Sequence, residues 1–220
     1  MSFLYSLDKK MSRKNLYNFI KKDLEDFKKN EKPKILFVGS GGDLHKYVEE
    51  YASYFYSIDI DPSRNPDQII DLTDPNFCNY YSGKKVNLVC IFEVLEHTKN
   101  PKLAIKNIYD LIDKGSTVLL STPFIFNIHD APNDYYRFTR YGLEEIFKDF
   151  SRVEIKEKNG WLESIFIIIM RIKKNSNFLN KMLGNFFLIL YYFLYPLILI
   201  IQNIFKNKSL TTGYYLKAVK

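Results

Sequence analysis

Gly39-Ser40-Gly41 follows a short apolar run, Ile35-Leu36-Phe37-Val38, and Asp59 stands 20 residues after Gly39 at the end of a second run, Tyr54 to Ile60. A glycine turn between a strand and a helix lets the backbone approach a bound nucleotide closely. An acid at the end of the next strand accepts hydrogen bonds from the 2′- and 3′-hydroxyls of its ribose. The pattern therefore fits a ribose-bearing cofactor, either a nicotinamide dinucleotide or S-adenosylmethionine. Two residues separate them. The third glycine of the dinucleotide pattern would fall at Leu44, and Asp43 stands at the helix start where a dinucleotide places its anionic pyrophosphate. A carboxylate there repels pyrophosphate and tolerates a sulfonium cation. Asp43 also suits the helix N-cap itself.

These residues need strands and helices in a fixed order, and the chain supplies the order. Residues 1–32 are Lys-rich, with Leu16, Phe19, Ile20, Leu24 and Phe27 near helical spacing, so a helix is expected before Pro33. Strands are expected at Ile35 to Val38, Tyr54 to Ile60, Gln68 to Ile70, Val86 to Phe92 and Thr117 to Ser121. Helices are expected between them at Asp43 to Ala52 and Pro101 to Ile112. A further helix at Tyr141 to Phe150, a strand at Arg152 to Lys156 and a last strand at Thr212 to Val219 complete the set. Alternation of this kind predicts an α/β fold, a mostly parallel sheet wrapped by helices on both faces.

Length and composition agree. The chain has 220 residues, 46% of them hydrophobic and 26% charged, a globular balance that excludes global disorder. Its two cysteines, Cys78 and Cys90, cannot build a disulfide framework or a four-thiolate zinc site, and no metal site is expected. No long apolar core precedes a cleavage site in Met1 to Lys14, so a secretory signal is not expected and a reducing, cytoplasmic setting follows.

In order along the chain, Val38-Gly39-Ser40-Gly41-Gly42, Ser57-Ile58-Asp59-Ile60-Asp61-Pro62, Ile70-Asp71-Leu72 and Phe92-Glu93-Val94-Leu95-Glu96-His97 resemble the motifs of class I S-adenosylmethionine-dependent methyltransferases. The resemblance runs from about Ile35 to Phe150 and resumes at the last strand. It implies S-adenosylmethionine as cofactor, with Gly39, Gly41, Asp59, Asp71 and Glu93 lining its pocket; Ser40, Ile60 and Leu72 are assigned beside them. It implies a Rossmann-like, doubly wound sheet of seven strands whose last strand is antiparallel. The family's acid two residues before the first glycine is replaced by Phe37.

The segment Thr122 to Thr139 follows the fifth strand, and ligands lie beyond the carboxyl ends of such strands. With its proline, histidine, Pro-x-Asp-Tyr and Arg-Phe-Thr in that order, it is similar to a segment of methyltransferases from surface-polysaccharide gene clusters. Methyl transfer to a hydroxyl needs alignment and loss of a proton. His129 is the candidate base, with Asp134 to orient it or bind substrate. Tyr135 and Tyr136 are candidates to stack on a sugar, and Arg137 to hold an anionic group. For Asp134 and Arg137 the plain alternative is a loop-closing ion pair. His97 is expected to shape the pocket or cap a turn, and His45 to lie on the surface.

Between Trp161 and Leu210 the chain is mostly apolar, and Phe186 to Ile201 is unbroken, allowing its tyrosines and Pro196. As a helix this run spans about 24 Å, short of the roughly 30 Å hydrocarbon core. Extension to Leu183 and Phe205 would cross it. Six cations (Arg171, Lys173, Lys174, Lys181, Lys206 and Lys208) and one anion, Glu163, lie in this segment, which carries most of the net charge of +7. Strands on both sides must share one sheet, so a single crossing is excluded. The expectation is an element that dips into one leaflet, kinked at Pro196, or else a buried hairpin or dimer interface. Three parts follow: an N-terminal helical segment (1–33), the methyltransferase domain (34–160 and 210–220) and an apolar helical insertion (161–209). The expected activity is methylation of a glycan or lipid-linked saccharide hydroxyl by a peripheral or monotopic protein on the inner membrane face. Alternatives are a quinone or lipid headgroup as acceptor, or a non-catalytic membrane-associated binding protein. The positive charge clusters around apolar sequence rather than on a basic–aromatic face, which argues against nucleic acid. An oligomer is left open.

Overall fold

The computed structural model describes residues 2–29, 31–81, 85–172 and 177–220. Met1, the expected helix start, and Lys173 and Lys174, two of the expected flanking cations, lie outside the described residues.

Seven strands form one sheet in the order β3-β2-β1-β4-β5-β7-β6. They are β1 (Lys34–Val38), β2 (Tyr54–Asp59), β3 (Gln68–Ile69), β4 (Leu88–Phe92), β5 (Thr117–Pro123), β6 (Arg152–Glu157) and β7 (Gly213–Val219). β1 to β5 pair in parallel, with Val38 opposite Ile58 and Ile91. β7 runs antiparallel to both neighbours, with Leu120 and Ile155 each opposite Leu216. This is the expected doubly wound, Rossmann-like sheet. The central strands are buried on both faces, which is why they read as continuous apolar runs rather than alternating ones.

Helices α2 (Gly42–Glu49), α3 (Pro101–Leu111) and α4 (Arg140–Ile146) follow β1, β4 and β5. α3 starts where Asn100 accepts a hydrogen bond from the Leu103 amide and Pro101 presets the first turn. The N-terminal helix α1 (Ser2–Lys28) lies across one sheet face. Leu16, Ile20 and Leu24 pack there against Ile35, Phe37, Leu88 and Leu119. Truncating one such side chain to alanine costs about 2–5 kcal/mol. A buried carboxylate fixes its register: Asp23 accepts from the Tyr215 hydroxyl at 2.8 Å and from Lys217 Nζ at 2.7 Å, both on β7.

α5 (Trp161–Arg171) and α6 (Phe178–Ile204) form an antiparallel pair between β6 and β7. They share a small core of Ile167, Met170, Leu188, Tyr191 and Ile198, against which Leu7 and Met11 of α1 and Phe126 also pack. Buried Glu163 ties the pair together, accepting from Gln202 Nε2 at 2.9 Å, the Gly160 amide at 3.0 Å and the Tyr191 hydroxyl at 3.3 Å. α6 continues through Pro196, with only 22% of its most apolar window buried.

Candidate functional site

Gly39 leaves β1 with φ 90°, and a Cβ there would stand 2.4 Å from Val94 Cγ2. Both facts require glycine. Val94 reaches that spot because Glu93, just beyond β4, has φ 54° and turns the chain sharply. The amide of Glu93 still donates to the Ser121 carbonyl at 2.9 Å, so the turn hangs directly on the sheet. His45, expected on the surface, is instead half-buried: its ring lies 5.3 Å from Phe37 and 5.0 Å from Phe55, and Nδ1 accepts the Gly41 amide at 3.2 Å. Phe37 thus belongs to an aromatic layer under the glycine turn. Asp43 is not the N-cap. That position is Gly41, which has no side chain to cap with; Asp43 lies inside the first turn of α2, and its carboxylate pairs with Lys9 of α1.

One cleft of about 1610 Å³ opens over the carboxyl ends of β1 to β5. It brings together all eight residues assigned to the cofactor: Gly39, Ser40, Gly41, Asp59, Ile60, Asp71, Leu72 and Glu93. Asp59 Oδ1 accepts the Asp61 amide at 2.9 Å, and Oδ2 lies 3.9 Å from Arg64 Nε. Asp71 Oδ1 accepts from the amide and hydroxyl of Thr73, at 2.8 and 2.7 Å. In both acids one oxygen is fixed by the local turn. Ser40 Oγ is buried and has no hydrogen-bond partner among the described residues. An orphaned hydroxyl at the glycine turn, in a cleft that Asp59 and Asp71 also line, fits a polar ligand with ribose hydroxyls. Glu93 has a different environment: Oε1 accepts from Lys158 Nζ and Ser121 Oγ, both at 2.7 Å. Burial alone would raise its pKa, but the Lys158 charge and these hydrogen bonds outweigh it and lower the value.

At the opposite end the cleft is lined by His97, His129 and Tyr135. The loop carrying His129 folds back onto a 3-10 turn, Leu95–His97, where the Glu96 carbonyl accepts the amides of Tyr135 at 2.9 Å and Tyr136 at 3.2 Å. His129 Nδ1 lies 3.4 Å from Asp134 Oδ2, and the His129 amide donates to the same oxygen at 2.9 Å. Burial lowers the His129 pKa and outweighs the Asp134 charge, so the ring is neutral near pH 7. Hydrogen bonding from Arg137 holds the Asp134 carboxyl far below the usual carboxylate range.

Arg137 does not present a free guanidinium. It donates to both oxygens of Asp134 at 2.6 Å and to the carbonyls of Tyr136 and Asn127. The loop-closing ion pair is the geometry present. Asp134, Tyr136 and Arg137 lie outside the main cleft, around a separate hollow of about 260 Å³ that Tyr135 also borders. The Tyr136 hydroxyl donates to the Lys99 carbonyl and its ring stacks on Phe138 at 5.7 Å.

The sequence shows Glu96 within a motif but suggests no role for it, and suggests for His97 only that it shapes the pocket or caps a turn. Glu96 is fully buried beneath His97 and His129, and burial together with the charge of Glu93 raises its pKa well above the ordinary value. The signal was the Glu-His pair itself, an ionisable couple directly after a buried strand. Lys9, Ser12 and Arg13 of α1 also line the cleft, which spacing within α1 gives no reason to expect.

The methyltransferase domain family matches residues 12–158 of this chain. None of the curated proteins matches. Among solved structures, a SAM-dependent methyltransferase from Archaeoglobus fulgidus is similar, with 17% identity over 92% of this chain and 94% of that one and a TM-score of 0.59. An O-methyltransferase of a trans-AT PKS multienzyme from Brevibacillus brevis, in complex with S-adenosyl-L-homocysteine, shares 13% identity. The match covers 86% of this chain and 67% of that chain, with a TM-score of 0.51. The cyclase SpnF gives 11% identity, 86% and 75% coverage and a TM-score of 0.52. At such identities the likeness is one of fold, and the presence of a cyclase shows how much chemistry this fold admits.

Proposed function

The chain belongs to the methyltransferase domain family, and we propose that it transfers a methyl group from S-adenosylmethionine to a hydroxyl of a glycan or lipid-linked saccharide at a membrane surface. The observation that carries this reading is the single cleft in which the glycine turn, Asp59 and Asp71 stand at one end and His129 and Tyr135 at the other. S-adenosylmethionine, when bound, supplies an electrophilic methyl group on a sulfonium centre.

The residues divide the work. Gly39 and Gly41 allow close approach of the backbone, Asp59 takes the ribose hydroxyls, and Asp71 takes the adenine edge, with Ile60 and Leu72 beside them. Tyr135 offers a face to the acceptor sugar. In-line displacement requires the acceptor oxygen to be aligned and water to be excluded, and the loop over the strand ends serves both. As the oxygen–methyl bond forms, the carbon–sulfur bond breaks and the acceptor proton must leave. Neutral His129 is the group placed to assist that loss, with its ring oriented from the Nδ1 side by Asp134. Asp134 is thus a positioning residue, and Arg137 holds Asp134 rather than the substrate.

The membrane part of the reading rests on α6. Its 27 residues span about 40 Å as a helix, and Phe186, Ile189, Phe193, Leu197, Ile200 and Ile204 are exposed. Exposed apolar surface of this extent favours a lipid surface, and β7 must return to the sheet after α6, so a monotopic or peripheral placement on the cytoplasmic face fits. Polysaccharide biosynthesis is the setting in which such an acceptor arises. The test is label transfer from methyl-labelled S-adenosylmethionine to lipid-linked saccharides in vesicles, with water-soluble glycans and quinones in parallel. Label in the saccharide supports the reading, whereas label only in a quinone or headgroup replaces the acceptor. No label in any acceptor, with S-adenosylhomocysteine still bound, leaves the non-catalytic alternative.

A further inference from the structure

We propose that Glu96, His97 and His129 form a binding site for a first-row divalent transition-metal cation at the acceptor end of the cleft. One ligand atom from each residue lies within 4.8 Å of the other two. The Nε2 atoms of His97 and His129 stand 3.8 and 3.9 Å from the same oxygen, Oε1 of Glu96. The two rings are 5.0 Å apart and nearly perpendicular, at 79°.

The hydrogen bonds around this cluster fix what its atoms offer. His97 Nδ1 lies 2.7 Å from the Asn133 carbonyl, which can only accept, so Nδ1 carries the proton and Nε2 keeps its lone pair. His129 Nδ1 lies 3.3 Å from the Asn127 carbonyl and 3.4 Å from Asp134 Oδ2, again two acceptors, and its Nε2 is likewise a lone pair. Glu96 Oε1 is buried and has no hydrogen-bond partner among the described residues, while Oε2 accepts from the Thr122 hydroxyl at 3.3 Å. Three electron-rich atoms thus converge, and among the described residues no donor is near enough to join any two of them. Separations of 3.8 and 3.9 Å are too long for a proton on Glu96 to bridge to either ring. A cation satisfies all three at once.

The surroundings match a built metal site. A ligating histidine ordinarily donates its outer N–H to a carboxylate or backbone carbonyl, and here both rings do. Asp134 is itself clamped by Arg137, which gives that ion pair a purpose beyond closing the loop. The backbone bonds from Tyr135 and Tyr136 to the Glu96 carbonyl hold the two histidines, from separate segments, in register. Two imidazoles and one carboxylate suit zinc, manganese, cobalt or iron(II) better than magnesium or calcium. Tetrahedral bonds of about 2.0–2.1 Å need ligands about 3.4 Å apart, so the two separations from Glu96 must each close by roughly half an ångström and that between the histidines, which is no more than 4.8 Å, by at most about 1.4 Å. His97 and His129 line the cleft, so the open coordination positions face the acceptor.

This deepens, and for its chemical role rests on, the methyl-transfer reading. An acceptor hydroxyl oxygen bound to the cation loses its proton to water more readily. The oxygen–methyl bond then forms and the carbon–sulfur bond breaks, with no oxidant or reductant involved. His129 assists proton loss by ligating through Nε2.

The test uses the full chain stripped with chelator and titrated with Co²⁺, read by visible absorption, and then with Zn²⁺ in competition, without methyl donor or acceptor. One equivalent should bind, and His97→Ala and Glu96→Gln should each weaken binding at least about tenfold. Should Glu96→Gln fail to fold, His97→Ala, at a side chain 22% exposed rather than fully buried, alone decides, with S-adenosylhomocysteine calorimetry as the control for folding. Absence of stoichiometric binding below millimolar Co²⁺, or equal affinity in His97→Ala and the parent chain, overturns the site. Failure of S-adenosylhomocysteine to bind while Co²⁺ binds would instead overturn the methyl-donor reading and leave the site standing.

Discussion

At the donor end of the cleft each group comes from a strand terminus or the turn after it: Gly39 after β1, Asp59 at the end of β2, Asp71 after β3, Glu93 after β4. At the acceptor end, Glu96 and His97 come from a short 3-10 turn, while His129 comes from a loop that must fold back on that turn through Tyr135 and Tyr136. Strand ends in a parallel sheet converge whatever the side chains do, so a donor site needs only the right residue at each end. The acceptor end exists only if tertiary contacts form between segments more than 30 residues apart. One consequence is that its ionisable groups are coupled, and each depends on the placement of the others.

The sharpest way to separate the two ends is His129→Ala. Turnover on the true acceptor should fall by about 10²-fold or more, while S-adenosylhomocysteine affinity, measured by calorimetry, stays unchanged. Normal turnover would show that the acceptor end works by alignment alone.

Asp59→Ala should produce the opposite pattern. Loss of charge-assisted hydrogen bonds to the ribose should weaken cofactor binding by roughly 1–3 kcal/mol, or about 5- to 150-fold. Saturating methyl donor should then restore most of the turnover. A variant that binds the cofactor normally would remove Asp59 from the donor site. The two variants together state the comparison in kinetic form: one moves kcat, the other KM for the donor.

The same contrast explains what could be read from the residues. The strands, the helices and their order along the chain followed from apolar runs and turn residues; Gly39, Gly41 and Asp59 stood out by their spacing, while Asp71, Glu93 and the antiparallel seventh strand came only with the family resemblance. The acceptor end was only half legible. Arg137 was expected to hold an anion, but its guanidinium is filled by Asp134 and two carbonyls. Spacing of three residues within a loop shows that two charges can meet, not that they leave nothing for a ligand. Glu96 was invisible for a related reason: a glutamate on a turn is usually solvated, and only the return of the loop buries it. His45 and Asp43 exchanged their expected environments because α1, with Lys9, and the aromatic pair Phe37 and Phe55 lie where a single helix gives no hint.

The helical pair α5–α6 sharpens the comparison further, since it has a polar core contact and an apolar exterior. Removing Glu163 should damage the pair from inside. Glu163→Ala leaves the Gln202 amide and the Tyr191 hydroxyl without their acceptor, at a cost of roughly 1–3 kcal/mol in thermal or urea unfolding. An unchanged midpoint would mean that the pair is held by apolar packing alone. By contrast, Phe193→Ser and Ile200→Ser alter exposed positions and should shift folding stability by no more than about 0.5 kcal/mol. The same pair of changes should lower partition into anionic liposomes by tenfold or more, because each buried apolar side chain contributes about 1.5–3 kcal/mol.

Salt should have the smallest effect on that attachment. Among the described cations of the insertion, Arg171 of α5 lines the cleft and donates to Ser12 Oγ, whereas Lys181, near the start of α6, and Lys206 and Lys208, just past its end, lie outside the apolar run from Phe186 to Ile201. Near an anionic bilayer each contributes up to about 1 kcal/mol, an attraction that fades within a Debye length of about 10 Å at 0.1 M salt and about 3 Å at 1 M. Apolar burial is not screened. Raising salt from 0.1 to 1 M should therefore reduce co-sedimentation with anionic liposomes several-fold without abolishing it, and should barely change the weaker attachment to neutral liposomes. Complete release by salt would show that the charges, and not the exposed face of α6, hold the protein to the membrane. A salt-insensitive dimer in solution, with residues 186–201 protected from amide exchange, would place a second copy of this chain where lipid is proposed.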